Sequence, residues 1–150
     1  IFFGLIKVGD EPYVIEYNVR MGDPETEAVI PRIKSDFLEL LHSVNSGSLS
    51  DYNLIIDDNP ATTVFLVSGG YPELYEKNKQ IFGLETVTNS MVFHAGAIKK
   101  DEKIFTSGGR VLAITSLANT IQQALEKSYE SIKKINFEGM NFRKDIGFDL

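Results

Sequence analysis

The alternation of apolar and polar residues near the amino-terminal end of the chain predicts a β-hairpin. Residues 1–8 and 13–20 are rich in β-branched and aromatic side chains, and the turn-forming residues 9–12 separate them. A period of two along the second strand gives two faces, one with Ile15, Tyr17 and Val19 and the other with Glu16, Asn18 and Arg20. We expect the apolar face to be core and the polar face to be a site.

Three segments have the capping residues and the periodicity of helices. Asp23, followed by Pro24, is expected to cap the first helix. Ser35-Asp36 is expected to cap a second helix that runs to about Val44. Its predicted buried side consists of Phe37, Leu38, Leu40 and Leu41. Asn119 or Thr120 caps the clearest helix, whose apolar stripe runs from Ile121 to Ile135.

Short apolar segments after residue 50 predict an antiparallel sheet. They lie at 54–56, 62–67, 81–87, 91–97, 103–106 and 109–115. The change of pattern predicts a boundary between a domain of residues 1–50 and a domain of residues 51–150. The fold class is therefore α+β, with an antiparallel hairpin and helices followed by a small antiparallel β-sheet domain flanked by helices.

The polar face of the second strand carries candidate metal ligands. Glu16 and Asn18 offer hard oxygen donors roughly 7 Å apart along a strand, close enough to share magnesium. Magnesium usually keeps few protein ligands and completes its shell with water and phosphates. Arg20 on the same face adds a fork of donors suited to a carboxylate or phosphate. From spacing alone, an ordinary solvated strand is the more common explanation.

Composition narrows the classes of partner. The formal net charge is −6, which disfavours a nucleic-acid or anionic-membrane surface and favours small molecules. The chain has no cysteine, so disulfides and thiolate zinc sites are excluded. Its apolar runs are far shorter than the roughly 20 residues that span a bilayer. Because residues 1–7 read as the interior of a strand, without an initiator methionine or a signal peptide, we expect a fragment of a longer protein.

The run from Glu16 to Glu27, EYNVRMGDPETE, resembles the E-[FY]-N-x-R-[FM]-G-D-P-E-T signature of phosphoribosylamine–glycine ligases, which are ATP-grasp enzymes of purine synthesis. Later segments resemble the same family in the same order, so that the likeness covers nearly the whole chain. These segments are VSGGYP at 67–72, VFHAG at 92–96, GGRVL at 108–112 and RKDIG at 143–147.

The resemblance implies an activity and a role for each candidate residue. Such ligases join glycine to 5-phosphoribosylamine through glycyl phosphate while ATP is hydrolysed to ADP and phosphate. Glu16 and Asn18 would hold magnesium or manganese at the ATP phosphates, and Arg20 and Asp23 would orient the acceptor or the intermediate. Residues 1–50 would end the ATP-grasp domain, and residues 51–150 would form a structural carboxy-terminal domain. The chain alone lacks the family's ATP-binding lysine and glycine-rich loop, so we expect it to be inactive; we expect a cytoplasmic location.

Other readings stay open at this stage. A sibling ATP-grasp ligase or carboxylase has a similar Glu-x-Asn strand, although the continuation from Arg20 to Glu27 disfavours it. A noncatalytic module that binds a divalent metal predicts metal affinity independent of nucleotide. His94 is more simply a partly buried histidine than a general base, and the paired glycines 69–70 and 108–109 are more simply tight turns than phosphate loops. Arg110 could reach toward the site from the second domain, but an ordinary surface ion pair is the default for a lone arginine.

Overall fold

The computed structural model describes residues 1–148 and shows an α+β fold. Within that range the strands are β1 (Phe2–Val8), β2 (Glu11–Asn18), β3 (Ala61–Val67), β4 (Gln80–Ile81), β5 (Met91–His94), β6 (Ala97–Lys100), β7 (Lys103–Thr106) and β8 (Arg110–Leu117). The α-helices are α1 (Thr26–Val29), α2 (Phe37–Ser46) and α3 (Ile121–Ile132). The pairings between these strands are antiparallel. The predicted fold class, helices with antiparallel sheets, is confirmed.

The amino-terminal hairpin is shorter than the sequence predicts. Its loop is Gly9-Asp10, and β2 begins at Glu11 and ends at Asn18 rather than at residue 20. Gly9 has a φ of +63°, which suits a two-residue hairpin loop. Gly4 pairs with Glu16 while Leu5 pairs with Val14, so Ile15 forms a bulge. The bulge lies before the candidate metal ligands and leaves their own alternation intact.

The apolar face of the hairpin is exposed, and the prediction that it is core is wrong for the described residues. Ile15 and Tyr17 are each 65% exposed, and Val19 is 97% exposed. Phe3 and Tyr17 pack against each other edge to face with ring centroids 5.3 Å apart. Nothing else within residues 1–148 covers these side chains, so the hairpin offers an uncovered apolar surface.

Helix α2 confirms its predicted cap but not its predicted buried side. The Asp36 carboxylate accepts a hydrogen bond from the Glu39 backbone N–H at 3.0 Å, and Gly47 ends the helix with a φ of +75°. The apolar side chains expected to be buried lie in solvent: Phe37, Leu38 and Leu41 are exposed and Leu40 is half-buried. The periodicity that predicts a covered stripe is present, but the described chain provides no covering element.

Two three-stranded sheets contain the core. One has the order β3-β8-β5 and the other the order β4-β7-β6. Strand β8 lies in the middle of the first sheet, and all of its residues from Val111 to Ser116 are buried. Helix α3 packs on β3 and β8 and contributes the buried Ile132 to the same core as Val64 and Leu66. Arg110 is the first residue of β8, so its backbone is continuous with this buried strand.

Helix α3 begins at its predicted cap and packs through small residues. The Thr120 hydroxyl accepts a hydrogen bond from the Gln123 backbone N–H at 3.2 Å. Buried serine hydroxyls beneath the helix bond to one another, which satisfies polar groups that would otherwise be costly to bury. The bonds join Ser90 to Ser116 at 2.7 Å, Ser90 to Ser131 at 2.7 Å and Ser128 to Ser116 at 2.9 Å.

Three predicted strands differ from the structure. Residues 54–56 form an isolated bridge between Ile33 and Ile56 instead of a strand. The segment 81–87 leaves the sheet after β4, because Gly83 has a φ of +85° and a 3-10 turn follows at Leu84–Thr86. The segment 91–97 is broken between β5 and β6, where Gly96 packs on Gly108. Further 3-10 turns lie at Ile30–Arg32 and Leu49–Asp51.

Among residues 1–148, no helix combines the length and the apolar character that crossing a membrane requires. The boundary predicted near residue 50 stays a prediction.

Candidate functional site

Glu16 and Asn18 lie side by side at the end of β2. The Asn18 side-chain amide donates a hydrogen bond to Glu16 Oε1 at 3.1 Å, so the two side chains share a face as the alternation predicts. Gly4 on the neighbouring strand is opposite Glu16, and a Cβ atom built there would lie 2.9 Å from Glu16 Cγ. The absence of a side chain at Gly4 therefore leaves room for the Glu16 carboxylate to lie over the hairpin.

This donor set fits magnesium or manganese chemically. A carboxylate and a side-chain amide carbonyl are hard oxygen ligands of the kind these ions take, with the remaining positions left to water and phosphate. The described residues contain no cluster of three or more histidine, cysteine, aspartate or glutamate side chains arranged to hold a metal. The residues that face Asn18 and Glu16 across the hairpin are Phe2 and Gly4, which are not ligands. The metal-binding role of Glu16 and Asn18 stays a prediction.

A compact loop of residues 19–25 follows β2. Gly22 is buried, its backbone N–H donates to Glu25 Oε1 at 2.7 Å, and a Cβ atom there would lie 2.8 Å from the Phe2 ring. Arg20 lies in this loop rather than on the strand, and its guanidinium donates to the Met21 carbonyl at 2.9 Å while remaining exposed. The loop thus packs directly on the strand pair that carries the candidate metal ligands.

Asp23 is not a helix cap, so the predicted helix start is wrong. Helix α1 begins at Thr26 with Glu25 at its N-cap position. The Asp23 carboxylate instead forms a two-bond pair with Arg110: Nη1 donates to Oδ1 at 2.7 Å and Nη2 donates to Oδ2 at 2.6 Å. A distant ionised partner that matches both oxygens outcompetes local capping of backbone N–H groups.

The Arg110–Asp23 pair changes the electrostatics of the loop. Hydrogen bonding from Arg110 is the main reason that the pKa of the Asp23 carboxyl lies below its ordinary value; desolvation opposes this shift, and the positive charges of Arg110 and Arg20 add to it. The Asp23 bond in turn raises the pKa of Arg110. Asp23 is therefore an ionised carboxylate whose two oxygens are both hydrogen-bonded to Arg110.

Strand β8 and its neighbours fix the direction of Arg110. Its guanidinium carbon lies 5.6 Å from the centroid of the Phe65 ring, a cation–π contact. The preceding Gly109 is buried under Tyr71, since a Cβ atom there would lie 2.0 Å from the Tyr71 ring. The sequence alone makes an ordinary surface ion pair the default for Arg110, because its partner is 87 residues away. The GGRVL segment at 108–112 is the one local feature that singles out this arginine.

Two clefts meet at Arg110. The larger encloses about 510 Å³ and lies between Pro24 of the loop 19–25, the β3 face and the segment 141–146. Its lining combines aromatic and cationic side chains, among them Phe65, Tyr71, Phe142, Arg110 and Arg143. The smaller encloses about 370 Å³ and includes Asp23, Glu27 and Gly109. Arg110, Phe65 and Tyr71 border both clefts.

The remaining candidates do not join this arrangement. His94 ends β5 and is exposed, so the expectation of a partly buried histidine is wrong. Gly70 has a φ of +92°, which confirms a turn there. Gly108 and Gly109 do not have a positive φ; they allow close packing against Gly96 and Tyr71.

Comparison with known proteins gives one consistent set of matches. Residues 61–149 match the family described as Phosphoribosylglycinamide synthetase, C domain. Phosphoribosylamine–glycine ligase from Fusobacterium nucleatum is 42% identical, over 98% of this chain and 35% of that protein. The trifunctional purine biosynthetic protein adenosine-3 of Gallus gallus is 40% identical, over 99% of this chain and 15% of that protein.

A solved structure agrees with these matches. The crystal structure of phosphoribosylamine–glycine ligase from Thermotoga maritima superposes with a TM-score of 0.80 at 34% identity, over 95% of this chain and 35% of that chain. The chain thus spans about a third of the length of these bacterial ligases, with 35% covered in each.

Proposed function

Since the chain belongs to the phosphoribosylglycinamide synthetase C domain family, we propose that it supplies the carboxy-terminal part of a phosphoribosylamine–glycine ligase of purine biosynthesis. The reaction joins glycine to 5-phosphoribosylamine, with ATP hydrolysed to ADP and phosphate through glycyl phosphate. The names of the relatives that match nearly the whole chain support this assignment. They disfavour the alternative of a sibling carboxylase.

The observation that carries the chemical part of the proposal is the pairing of Glu16 with Asn18 at 3.1 Å on one face of the hairpin. These residues would hold magnesium or manganese. The bound ion would neutralise charge on the ATP phosphates during phosphoryl transfer. Glu16 and Asn18 themselves supply oxygen ligands and position the nucleotide's phosphate end next to the loop 19–25.

The loop 19–25 would orient the acceptor substrate or the glycyl phosphate intermediate. Arg20 presents an exposed guanidinium beside the candidate metal face, which suits a carboxylate or phosphate. Asp23, predicted to have the same role, is engaged by Arg110 and would contribute by fixing where the loop lies. Phosphoryl transfer depends mainly on positioning and electrostatics, so this division of roles is sufficient for these residues.

The exposed apolar surface of the hairpin and α2 supports a longer catalytic unit. Leu38 is 76% exposed, and Ile15 and Tyr17 are each 65% exposed. Clustered apolar side chains of this kind mark surfaces that other protein covers. We infer that the remaining length of the ligase packs there and supplies the ATP-binding lysine and glycine-rich loop. The 150-residue chain alone would then be inactive, and the ligase would act in the cytoplasm on small molecules.

The test uses the full-length protein that carries the chain. ADP release is followed with ATP and magnesium while glycine or 5-phosphoribosylamine is left out in turn. The proposal predicts sustained ADP release, beyond one turnover per enzyme, only when glycine and 5-phosphoribosylamine are both present. Release that ignores either substrate would overturn it. Calorimetric titration with manganese, with and without ATP, separates the alternative metal-binding module, which predicts the same affinity in both titrations.

A further inference from the structure

We propose that Arg110 is a positioning residue for the ligation, and that it acts by holding Asp23 and therefore the whole loop 19–25 against the metal-binding face. The inference rests on the proposed function and extends it to a residue of the carboxy-terminal sheet. Arg110 touches neither Glu16 nor Asn18 and would act only through the loop.

The contact geometry indicates that Arg110 and Asp23 form an oriented ion pair and not a nonspecific charge contact. Two guanidinium nitrogens each donate to a different carboxylate oxygen, Nη1 to Oδ1 at 2.7 Å and Nη2 to Oδ2 at 2.6 Å, so the pair fixes orientation as well as distance. A lysine could not match this, because an ammonium group is a point charge without a planar fork. The Phe65 ring beside the guanidinium restricts its direction further.

The two partners belong to segments that differ greatly in burial and in regular structure. Arg110 begins β8, whose next residues Val111 and Leu112 have no exposed surface. Asp23 lies in a loop without regular structure, and its side chain is 62% exposed. The pair therefore ties a loop to the core sheet of the chain, and the loop's position follows the sheet.

A chain of short contacts connects Asp23 to the candidate metal face. Asp23 adjoins Gly22, which is closed in by the Glu25 carboxylate and packs on the Phe2 ring. Phe2 in turn pairs with Asn18 in the hairpin register. Each step is a direct contact, so a loop released from Arg110 would also release the surroundings of Asn18.

The contribution of the Arg110–Asp23 pair to folding stability is expected to be small. Exposed ion pairs add little to folding, and the Asp23 side chain is largely in solvent. Displacement of a positioning group by about 1 Å can reduce a rate about 100-fold. The expected signature of Arg110 is therefore a large effect on turnover with a small effect on stability.

A double-mutant cycle in the full-length protein tests the proposal. The variants are Arg110→Gln, Asp23→Asn, the combination of both, and Arg110→Lys. Lys133→Gln serves as the control, because Lys133 also forms an exposed ion pair, with Glu130, but lies at the C-cap of α3 away from the loop. Each variant is measured for kcat and KM and for hydrogen–deuterium exchange in peptides that cover residues 19–25.

The proposal expects kcat to fall about 10- to 100-fold in Arg110→Gln, with faster exchange of the loop and unchanged exchange in β8. The double variant should be no slower than the single variants, because both remove the same contact. Arg110→Lys should recover part of kcat, and Lys133→Gln should behave as wild type. Unchanged kcat, unchanged loop exchange, or additive losses in the double variant would each overturn the proposal. Lack of ligase activity in the wild-type protein would instead contradict the proposed function, which a separate assay reports.

Discussion

Gly4 lies opposite Glu16 in the hairpin, and a methyl group at residue 4 would come within 2.9 Å of Glu16 Cγ. The strand that carries no ligand thus determines where the candidate ligand on its neighbour can lie. Because the collision is with a side chain and not with backbone, an added methyl group would displace the carboxylate rather than unfold the hairpin.

Gly4→Ala should therefore weaken the metal-dependent reaction while leaving the fold intact. We expect ATP-dependent turnover of the full-length protein to fall and the metal concentration at half-maximal rate to rise. Lys7→Ala is the matched control, since Lys7 lies on the same strand with an exposed polar side chain and pairs with Pro12 instead of Glu16. Equal metal dependence in Gly4→Ala and wild type would show that Glu16 does not need this space.

Gly109→Ala should destabilise the chain through overpacking. A Cβ atom at residue 109 would lie 2.0 Å from the Tyr71 ring, and insertion of an extra methyl into a packed site costs about 1–3 kcal/mol. Urea unfolding of the 150-residue chain measures this loss. Adding Tyr71→Ala should return part of the lost stability, because the colliding ring is then absent. If the double variant loses as much unfolding free energy as the two single variants together, or more, the strain lies elsewhere.

The core and the exposed apolar surface should respond differently to the same truncation. Leu112 has no exposed surface, so Leu112→Ala should cost about 2–5 kcal/mol of unfolding free energy in the 150-residue chain. Leu38 is 76% exposed, so Leu38→Ala should change that energy by less than about 0.5 kcal/mol. Similar losses at both sites would mean that α2 has a covered face within the chain.

The Asp23 carboxyl should titrate below the ordinary aspartate range. Its pKa is lowered in the folded chain by Arg110, so the pair is complete above the ordinary pKa and is lost as pH falls through the lowered value. The pH dependence of ligation near neutrality should therefore owe nothing to Asp23. Carbon-13 NMR of the carboxyl group measures the midpoint, which should rise toward the ordinary aspartate value in Arg110→Gln. An unchanged midpoint in that variant would exclude Arg110 as the cause.

Signals that act over a few residues were predictable from the sequence. The caps at Asp36 and Thr120 were identified because a capping side chain bonds to a backbone group three residues away. The shared face of Glu16 and Asn18 followed from strand alternation, because the bulge at Ile15 falls before them. The antiparallel sheet followed from several short apolar segments.

Interactions over long distances in sequence were not predictable in the same way. Asp23 has the local chemistry of a helix cap, and only the folded sheet brings Arg110 to it. The stripe on α2 and the apolar face of β2 are typical of covered surfaces, but a pattern does not say where a cover comes from, and both are exposed within residues 1–148. The break at Gly96 depends on its contact with Gly108, which also lies outside any local window.

The most direct test of the central claim is the rate of glycine- and 5-phosphoribosylamine-dependent ADP formation by full-length Glu16→Gln protein. Loss of a metal ligand at a phosphoryl-transfer site should lower this rate about a thousandfold, while circular dichroism shows the protein folded. Glu11→Gln, on the same strand but at the hairpin loop, should keep the wild-type rate. Wild-type turnover in Glu16→Gln would contradict the assignment of the metal site.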